Sequence, residues 1–256
     1  MLAGTFAMAA ATFFVVIGTG TASAIANGEP VPEGQYRFST RLVMTGIPTA
    51  SGGKRDSGCS GALIAEEWII TAGHCFRDAN GVRVNRPVAD STVATIGKAD
   101  VEGDGPGVAL DVVEVRQSTT ADVAIARLAS PAEGIEPIAV ADSPPQVGAV
   151  LRLTGYGSVT SSDPVQETRL RMGRLAVLNV APNVVGVEGF GPAPDTTPCP
   201  FDSGGPFFTE EQWQEPELVS VVSNGPSCPH SLQENSARVD NLKDWIDQII
   251  GSGTQG

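Results

Sequence analysis

The segment Trp-Ile-Ile-Thr-Ala-Gly-His-Cys, residues 68–75, is the clearest structural signal in the sequence. Its first five residues are apolar or β-branched, and a run of this length favours a buried β-strand over a helix. The run ends at Gly73 and is followed at once by His74, one of two histidines in the chain. An imidazole at the end of a strand can face a cleft and accept a proton near neutral pH. The segment therefore predicts a β-protein with a histidine placed for acid–base chemistry.

Similar short runs, rich in Val and Ile, recur along the chain between clusters of Gly, Pro, Asp and Ser. The predicted strands are residues 60–64, 68–72, 93–96, 111–115, 123–128, 150–154, 175–180 and 218–223. Their spacing is typical of an all-β sandwich or barrel. The C-terminal end instead shows helical spacing and predicts a short amphipathic helix with Asp240 as its N-cap. Its apolar face comprises Val239, Leu242, Trp245, Ile246 and Ile249. Pro131, Pro137 and residues 142–145 mark the predicted mid-chain linker.

The composition excludes several classes of protein. With 16 Lys and Arg against 29 Asp and Glu among 256 residues, the net charge is −13, whereas a nucleic-acid binder normally carries a basic stripe. A hydrophobic content of 41%, with 30 Gly and 19 Pro, is typical of a globular, turn-rich chain. Neither Cys-x-x-Cys nor His-Glu-x-x-His occurs, so we predict no metal site and no cofactor.

The first 24 residues contain no Asp, Glu, Lys or Arg and are predicted to be a signal peptide. Their apolar stretch, residues 6–17, is followed by Ala22-Ser23-Ala24, the small-residue pattern that signal peptidase recognises. We therefore expect cleavage after Ala24 and a secreted protein. The alternative is an uncleaved membrane anchor, since about 20 apolar residues can span a bilayer.

Export implies an oxidising compartment, in which the four cysteines are expected to form two disulfides. Four cysteines allow three connectivities. The spacing along the chain favours the two local pairs, Cys59 with Cys75 and Cys199 with Cys228.

Two further segments carry candidate catalytic groups. Asp122 precedes the apolar run 123–128, where its carboxylate can accept a hydrogen bond from a histidine and hold its tautomer. Ser203 lies in Cys-Pro-Phe-Asp-Ser-Gly-Gly-Pro, residues 199–206, and the glycines that follow it permit a tight turn. Such a turn can direct the hydroxyl and the adjacent backbone N–H groups at one reacting carbonyl.

The three segments together resemble the signatures of the trypsin/chymotrypsin family of serine peptidases, in the form of its secreted bacterial members. The resemblance rests on Thr-Ala-Gly-His-Cys at 71–75, Asp-Val-Ala-Ile-Ala-Arg-Leu at 122–128 and Asp-Ser-Gly-Gly-Pro at 202–206. Their order, His then Asp then Ser, differs from that of subtilisins and of α/β-hydrolases. The resemblance implies two six-stranded antiparallel β-barrels of the chymotrypsin type and a short C-terminal α-helix. Within a peptidase domain of residues 25–256, the first barrel would span 25–140, and the second barrel with the helix 141–256.

The resemblance also implies a role for each catalytic candidate. Ser203 would be the nucleophile, His74 the general base and then acid, and Asp122 the residue that orients His74. The backbone N–H groups of Phe201 and Ser203 would form the oxyanion hole. The pairs Cys59–Cys75 and Cys199–Cys228 match two disulfides of the family.

Substrate binding and activation follow from the same resemblance. Ser223, Asn224 and Gly225 resemble the strand that pairs with the substrate backbone. Family members become active when a new amino terminus pairs with the Asp before the nucleophile, which here would be Ile25 with Asp202. Because the expected signal cleavage exposes Ile25, signal peptidase itself would create the activating terminus.

Three residues depart from the family pattern. Phe201 replaces a glycine, so either its peptide plane is flipped, or it adopts an allowed backbone and its ring only lines the cleft. Thr197 replaces the Asp at the base of trypsin-like primary pockets, which gives no support to a preference for Arg or Lys. Asn224 replaces a Trp of the cleft wall. Asp195 and Glu234 are the nearest alternative acids, and both are expected at the surface because unpaired charges are rarely buried.

The second histidine, His230, follows Cys-Pro in a polar loop and is expected to be solvated. An α/β-hydrolase would combine it with Ser203 and Glu215. That reading fails because Phe201 occupies the first glycine position of Gly-x-Ser-x-Gly and because alternating helices are absent from the pattern.

The sequence thus predicts a secreted serine endopeptidase that acts through an acyl-enzyme. The alternative is a weakly active or non-catalytic trypsin-like scaffold that serves as a binding module, because Phe201 perturbs the oxyanion hole. Polypeptide substrates are the expected partners, with a protein inhibitor as a further candidate. We expect a monomer that binds no nucleic acid and, after signal cleavage, no membrane.

Overall fold

The computed structural model describes residues 25–210 and 214–253, so the predicted signal peptide, residues 1–24, lies outside the described residues. The strands are β1 (Glu29–Pro30), β2 (Ser39–Pro48), β3 (Lys54–Ala65), β4 (Trp68–Ala72), β5 (Ser91–Ile96), β6 (Val108–Gln117), β7 (Val123–Leu128), β8 (Ala139–Val140), β9 (Val150–Gly155), β10 (Arg171–Val180), β11 (Val184–Gly191), β12 (Pro206–Phe208), β13 (Glu217–Asn224) and β14 (Glu234–Arg238). One 3₁₀ turn, Gly73–Phe76, follows β4, and another, Asp240–Leu242, precedes the helix α1 (Lys243–Gly253).

Two closed barrels account for most of these strands. The first has the order β2-β3-β4-β7-β6-β5, and β5 pairs again with β2. The second has the order β9-β10-β11-β14-β13-β12, and β12 pairs again with β9. All pairings within both rings are antiparallel. The predicted all-β fold, with two six-stranded antiparallel barrels and a short C-terminal helix, is confirmed.

The eight predicted apolar runs all lie within observed strands. Strands β4 and β7 have the predicted bounds because their side chains are almost all buried, which makes the whole strand apolar. The other runs lie inside longer strands. In β3 the run belongs to the buried part of the strand, whereas in β6 and β10 buried residues are interspersed with partly or fully exposed ones.

The predicted N-cap of the C-terminal helix is wrong. The helical segment begins with the 3₁₀ turn at Asp240, and the residue in the N-cap position is Val239, whose apolar side chain makes no capping hydrogen bond. The Asp240 carboxylate instead accepts a hydrogen bond of 2.8 Å from Nε of Arg238. A capping carboxylate must bond a backbone N–H of the first turn, and this one bonds the neighbouring strand.

The two ends of the described chain lie in different hydrophobic clusters. Ile25 is fully buried in the core of the second barrel, together with Leu153, Val187 and Phe207. At the other end, Leu242 and Ile246 join a core that contains the interior of the first barrel. The C-terminal segment therefore packs on a core to which both barrels contribute.

Candidate active site

His74 and Asp122 are brought together by the pairing of two strands of the first barrel. Asp122 precedes β7, and His74 lies in the turn after β4, whose Ala72 pairs with Val123. His74 Nδ1 lies 2.7 Å from Asp122 Oδ2, and the backbone N–H of His74 donates to Oδ1 at 2.9 Å. Because the carboxylate accepts at Nδ1, that nitrogen carries the proton and Nε2 is left as an acceptor.

The Asp122 carboxylate has two further polar neighbours, which the sequence reasoning missed. Ser223 Oγ donates to Oδ2 at 2.8 Å, and Arg83 Nη1 lies 3.6 Å from Oδ1. Burial alone would raise the pKa of Asp122, but the hydrogen bonds from His74 and Ser223 outweigh it and lower the pKa to about 2. Asp122 is therefore ionised at any physiological pH. Arg83 carries no local sequence signal, because it reaches the site from a loop 39 residues before Asp122 in the chain.

Ser203 lies in a loop clamped between the two barrels. Its carbonyl accepts a hydrogen bond of 2.8 Å from the N–H of Ser60, and the N–H of Gly204 donates to Val222 at 2.8 Å. Gly204 has φ +84°, and a Cβ there would lie 2.1 Å from Thr71 Oγ1, so the close approach requires glycine. His74 and Ser203 line the same cavity, which has a volume of about 320 Å³.

Phe201 adopts a backbone conformation that is normally reserved for glycine, with φ +75°. The carbonyl of Pro200 accepts from the N–H of Ser158 at 2.7 Å, and the carbonyl of Phe201 accepts from Ser60 Oγ at 3.0 Å. Both peptide planes beside Phe201 are thus anchored. Since a trans peptide directs its N–H opposite to its C=O, the N–H of Phe201 points away from Ser158. Within the described residues, the N–H groups of Phe201 and Ser203 have no acceptor.

Asp202 is fully buried beside Ile25. Its carboxylate accepts from the N–H groups of Gly157 at 2.7 Å and Cys199 at 2.9 Å, and the backbone N–H of Ile25 also hydrogen-bonds it. Burial nevertheless raises the pKa of Asp202 to about 7, because these three neutral donors do not replace its lost hydration. A Cβ on Gly157 would lie 2.2 Å from the carboxyl carbon, so the carboxylate fits only against glycine.

The predicted substrate-binding residues lie in two places. Thr197 is fully buried, and its Oγ1 has no hydrogen-bond partner within the described residues. Ser223 is engaged with Asp122, and the exposed Asn224 donates to Ser223 Oγ at 3.1 Å. Gly225 packs directly on a carboxyl group, since a Cβ there would lie 1.8 Å from Glu234 Oε2.

The expected solvation of His230 and surface position of Glu234 are wrong. Nε2 of His230 lies 2.8 Å from Oε1 of Glu234, and the two side chains are only 8% and 4% exposed. The N–H of Leu232 donates to Nδ1 at 3.0 Å, so His230 is neutral and Nε2 is its donor. Burial raises the pKa of Glu234 to about 8 and lowers the pKa of His230. Each side chain can be buried because the other provides its hydrogen-bond partner. The only sequence feature that pointed to this pair is the spacing of four residues between His230 and Glu234. Asp195 is half-buried.

Two disulfides hold the loops that carry His74 and Ser203. They join Cys59 to Cys75 and Cys199 to Cys228, the pairs that the resemblance implied. Among the described residues, no cluster of His, Cys, Asp and Glu is arranged to hold a metal ion. No helix within these residues is both long and apolar enough to cross a membrane.

Comparison with known proteins defines the class. The family model described as Trypsin matches residues 25–246, so the chain belongs to the trypsin family and is a serine-type endopeptidase, which acts on polypeptides. Similar proteins include snake venom serine proteinase 12 of Crotalus adamanteus, which is 29% identical over 77% of this chain and 79% of its own length. The thrombin-like enzyme contortrixobin of Agkistrodon contortrix contortrix is 27% identical over 77% of this chain and 87% of its own. The thrombin-like enzyme elegaxobin-1 of Protobothrops elegans is 29% identical over 78% and 88%.

Proposed function

We propose that this protein is a secreted serine endopeptidase that cleaves peptide bonds through an acyl-enzyme on Ser203. The observation that carries the proposal is the 2.7 Å contact between His74 Nδ1 and Asp122, with His74 and Ser203 on one cavity. The secreted location is supported by the signal-peptide pattern of residues 1–24. It is also supported by similarity to a serine proteinase that is named as a snake venom protein.

The proposed roles follow from the hydrogen bonds around His74. Asp122 fixes the proton on Nδ1, so Nε2 can take the proton of Ser203 Oγ as that oxygen attacks the scissile carbonyl. The imidazolium then gives this proton to the leaving amine, and water repeats the sequence to release the acyl group. With its pKa lowered to about 2, Asp122 stays ionised and stabilises the imidazolium throughout.

The oxyanion hole in this proposal consists of the N–H groups of Phe201 and Ser203. Support comes from the two anchored peptide planes and from the absence of a described acceptor for either N–H. Donors of this kind stabilise the developing oxyanion, and loss of one costs about 10²- to 10³-fold in rate. On the substrate side, we assign residues 223–225 to the acyl segment and Thr197 to the primary pocket.

The second candidate function is a binding module on an inactive or weakly active scaffold. It is favoured by Phe201, because a bulky residue at positive φ stores about 1–3 kcal/mol of strain. Labelling with a fluorophosphonate serine reagent separates the two candidates. An enzyme labels in native form and does not label as Ser203→Ala. If the native protein never labels under conditions in which Phe201→Gly does, the scaffold function is correct.

Activation is proposed to follow signal cleavage after Ala24. Cleavage would convert the backbone N–H of Ile25, which already bonds Asp202, into an ammonium group at the same place. An ion pair there offsets the burial of Asp202 and orders the nucleophile loop. N-terminal sequencing of active secreted protein tests this, and a mature start other than Ile25 would refute it.

We further propose that the protein is a monomer and that a protein inhibitor is one of its binding partners.

A further inference from the structure

The cavity shared by His74 and Ser203 lies to one side of the proposed nucleophile. Its remaining walls come from β2, β3, the residues after β4 and Phe201. Residues 223–225, which we assign to the acyl segment of the substrate, do not line it. The chain that follows the scissile bond must leave Ser203 on the other side from the acyl segment. The cavity is thus placed to receive the leaving-group segment, a step that rests on the proposed function.

The charge of this cavity is opposite to that of the protein. The chain has 29 acidic and 16 basic residues, so an average lining would be acidic. Here the lining contains Arg55 and Arg77, and none of the described residues that line it is Asp or Glu. Both arginines are exposed, and neither forms an ion pair with another described residue.

The acidic residues nearest to these arginines in the chain are engaged elsewhere. Asp56 accepts a hydrogen bond from the N–H of Gly46 at 2.8 Å, and alternation along β3 directs it to the face opposite Arg55. Asp78, which follows Arg77, accepts from the N–H groups of Asn80 and Val82 at 2.9 and 3.0 Å. The two guanidinium groups are therefore left to meet a charge that arrives with the substrate.

We propose that Arg55 and Arg77 select substrates that carry an Asp or Glu within the two residues after the scissile bond. The carboxylate would meet the guanidinium groups, while the apolar surfaces of Met44, Ile47 and Phe201 pack against the stem of the side chain. Guanidinium groups suit this task because their planar fork can bind a carboxylate with two hydrogen bonds.

Acyl transfer measures this side of the cleft separately from the acyl side. The enzyme is acylated by one peptide ester, and dipeptide amides are added as competing nucleophiles. The amine attacks the acyl-enzyme carbonyl, a C–N bond forms, the bond from Ser203 Oγ breaks, and His74 carries the amine proton to that oxygen. The ratio of aminolysis to hydrolysis then reports how well each dipeptide occupies the cavity. The probes are Ala-Glu-amide, Ala-Gln-amide and Ala-Lys-amide, with the reversed order Glu-Ala-amide and Gln-Ala-amide.

We expect the glutamyl probes to exceed their glutaminyl counterparts by about tenfold in this ratio, since each exposed ion pair is worth only about threefold. Arg55→Gln and Arg77→Gln should each lower the preference by about threefold, and the double variant should abolish it. Arg86→Gln is the matched control, because it removes the same charge from an exposed site outside the cavity. About 1 M salt should shrink the preference, since it screens exposed charges.

Equal partitioning of glutamyl and glutaminyl probes in the native enzyme would overturn the proposal. So would a glutamyl preference that persists in the double variant or falls equally in Arg86→Gln. These outcomes are distinct from failure of the proposed function, because hydrolysis of the ester and labelling of Ser203 are measured in the same samples. If neither occurs in any variant, the protein is not an acyl-enzyme hydrolase and the inference falls with it.

Discussion

The chain contains two histidine–carboxylate pairs with almost equal contact distances and opposite properties. In the first barrel, Nδ1 of His74 lies 2.7 Å from Oδ2 of Asp122. Beside the second barrel, Nε2 of His230 lies 2.8 Å from Oε1 of Glu234. The first pair is about one quarter exposed, whereas the second is almost completely buried. The pKa of Asp122 is lowered to about 2, and that of Glu234 is raised to about 8.

Hydrogen bonding and burial account for this contrast. Asp122 also receives hydrogen bonds from Ser223 and from the backbone of His74, which stabilise its charge. Among the described residues Glu234 has one hydrogen-bond donor, His230, and its burial disfavours the charged form. The rings differ as well, because His230 uses both nitrogens inside the protein, while His74 keeps Nε2 for the cleft. A histidine–carboxylate contact alone therefore does not identify a catalytic base.

The largest expected effect separates the two histidines in catalysis. His74→Ala should lower kcat/KM on a peptide ester by about 10⁴- to 10⁶-fold, because the proton of Ser203 then has no acceptor. The matched variant His230→Gln should change kcat by less than about tenfold. Comparable losses in both variants would show that the buried pair also takes part in the chemistry.

The order of the two histidines should be reversed for the free energy of unfolding, to which His230 should contribute more than His74. His230→Ala leaves the buried Glu234 carboxyl without its donor and should lower the free energy of unfolding by about 1–3 kcal/mol. His74→Ala should cost less, since Asp122 keeps its bonds to Ser223 and to the backbone of residue 74. Urea unfolding of both variants at pH 7 measures the difference, and a larger loss for His74→Ala would contradict this account.

The pH dependence of stability should also distinguish the carboxylates. The pKa of Asp122 is lower in the folded state, so its contribution is present above about pH 4 and is lost as the pH falls towards 2. The pKa of Glu234 is higher in the folded state, so its contribution is present below about pH 4.5 and is lost as the pH rises through 8. Glu234→Gln should flatten the loss at high pH, and Asp122→Asn the loss at low pH. Urea unfolding across pH 2–9 tests this, and parallel curves for the variants and the native protein would refute it.

The smallest expected effect concerns Arg83, which lies 3.6 Å from Asp122 and is a positioning residue. Removing this cation by Arg83→Gln takes away a neighbour that helps to hold the Asp122 carboxylate against His74, so kcat should fall by about two- to fivefold with KM unchanged. Arg86→Gln, the exposed control, should leave both constants unchanged. A change in KM without a change in kcat would show that Arg83 does not act through Asp122.

The sequence predicts the fold where burial makes a strand uniformly apolar, as in β4 and β7. It does not indicate β14, whose sequence Glu-Asn-Ser-Ala-Arg is polar although Ser236 is fully buried. Ser236 Oγ is satisfied by the carbonyl of Val185 and by Ser220, contacts that exist only after the barrel closes. Strand β11 is hidden for another reason, since three glycines weaken its apolar pattern.

The candidate site divides in the same way. The motifs around His74, Asp122 and Ser203 are local in sequence and could be recognised before the structure was known. The backbone of Phe201 could not be predicted, because its positive φ is imposed by Ser60 and Ser158, each more than 40 residues away. The burial of Glu234 depends likewise on its packing against Gly225.

Mass spectrometry of the fluorophosphonate-treated protein tests the central claim most directly. We expect one adduct per chain, located on the peptide that contains Ser203, in the native protein and in His230→Gln. We expect none in Ser203→Ala and a strongly reduced rate in His74→Ala. An adduct that forms equally fast in His74→Ala, or that is lost in His230→Gln, would contradict the assignment of His74 and Asp122 as the pair that serves Ser203.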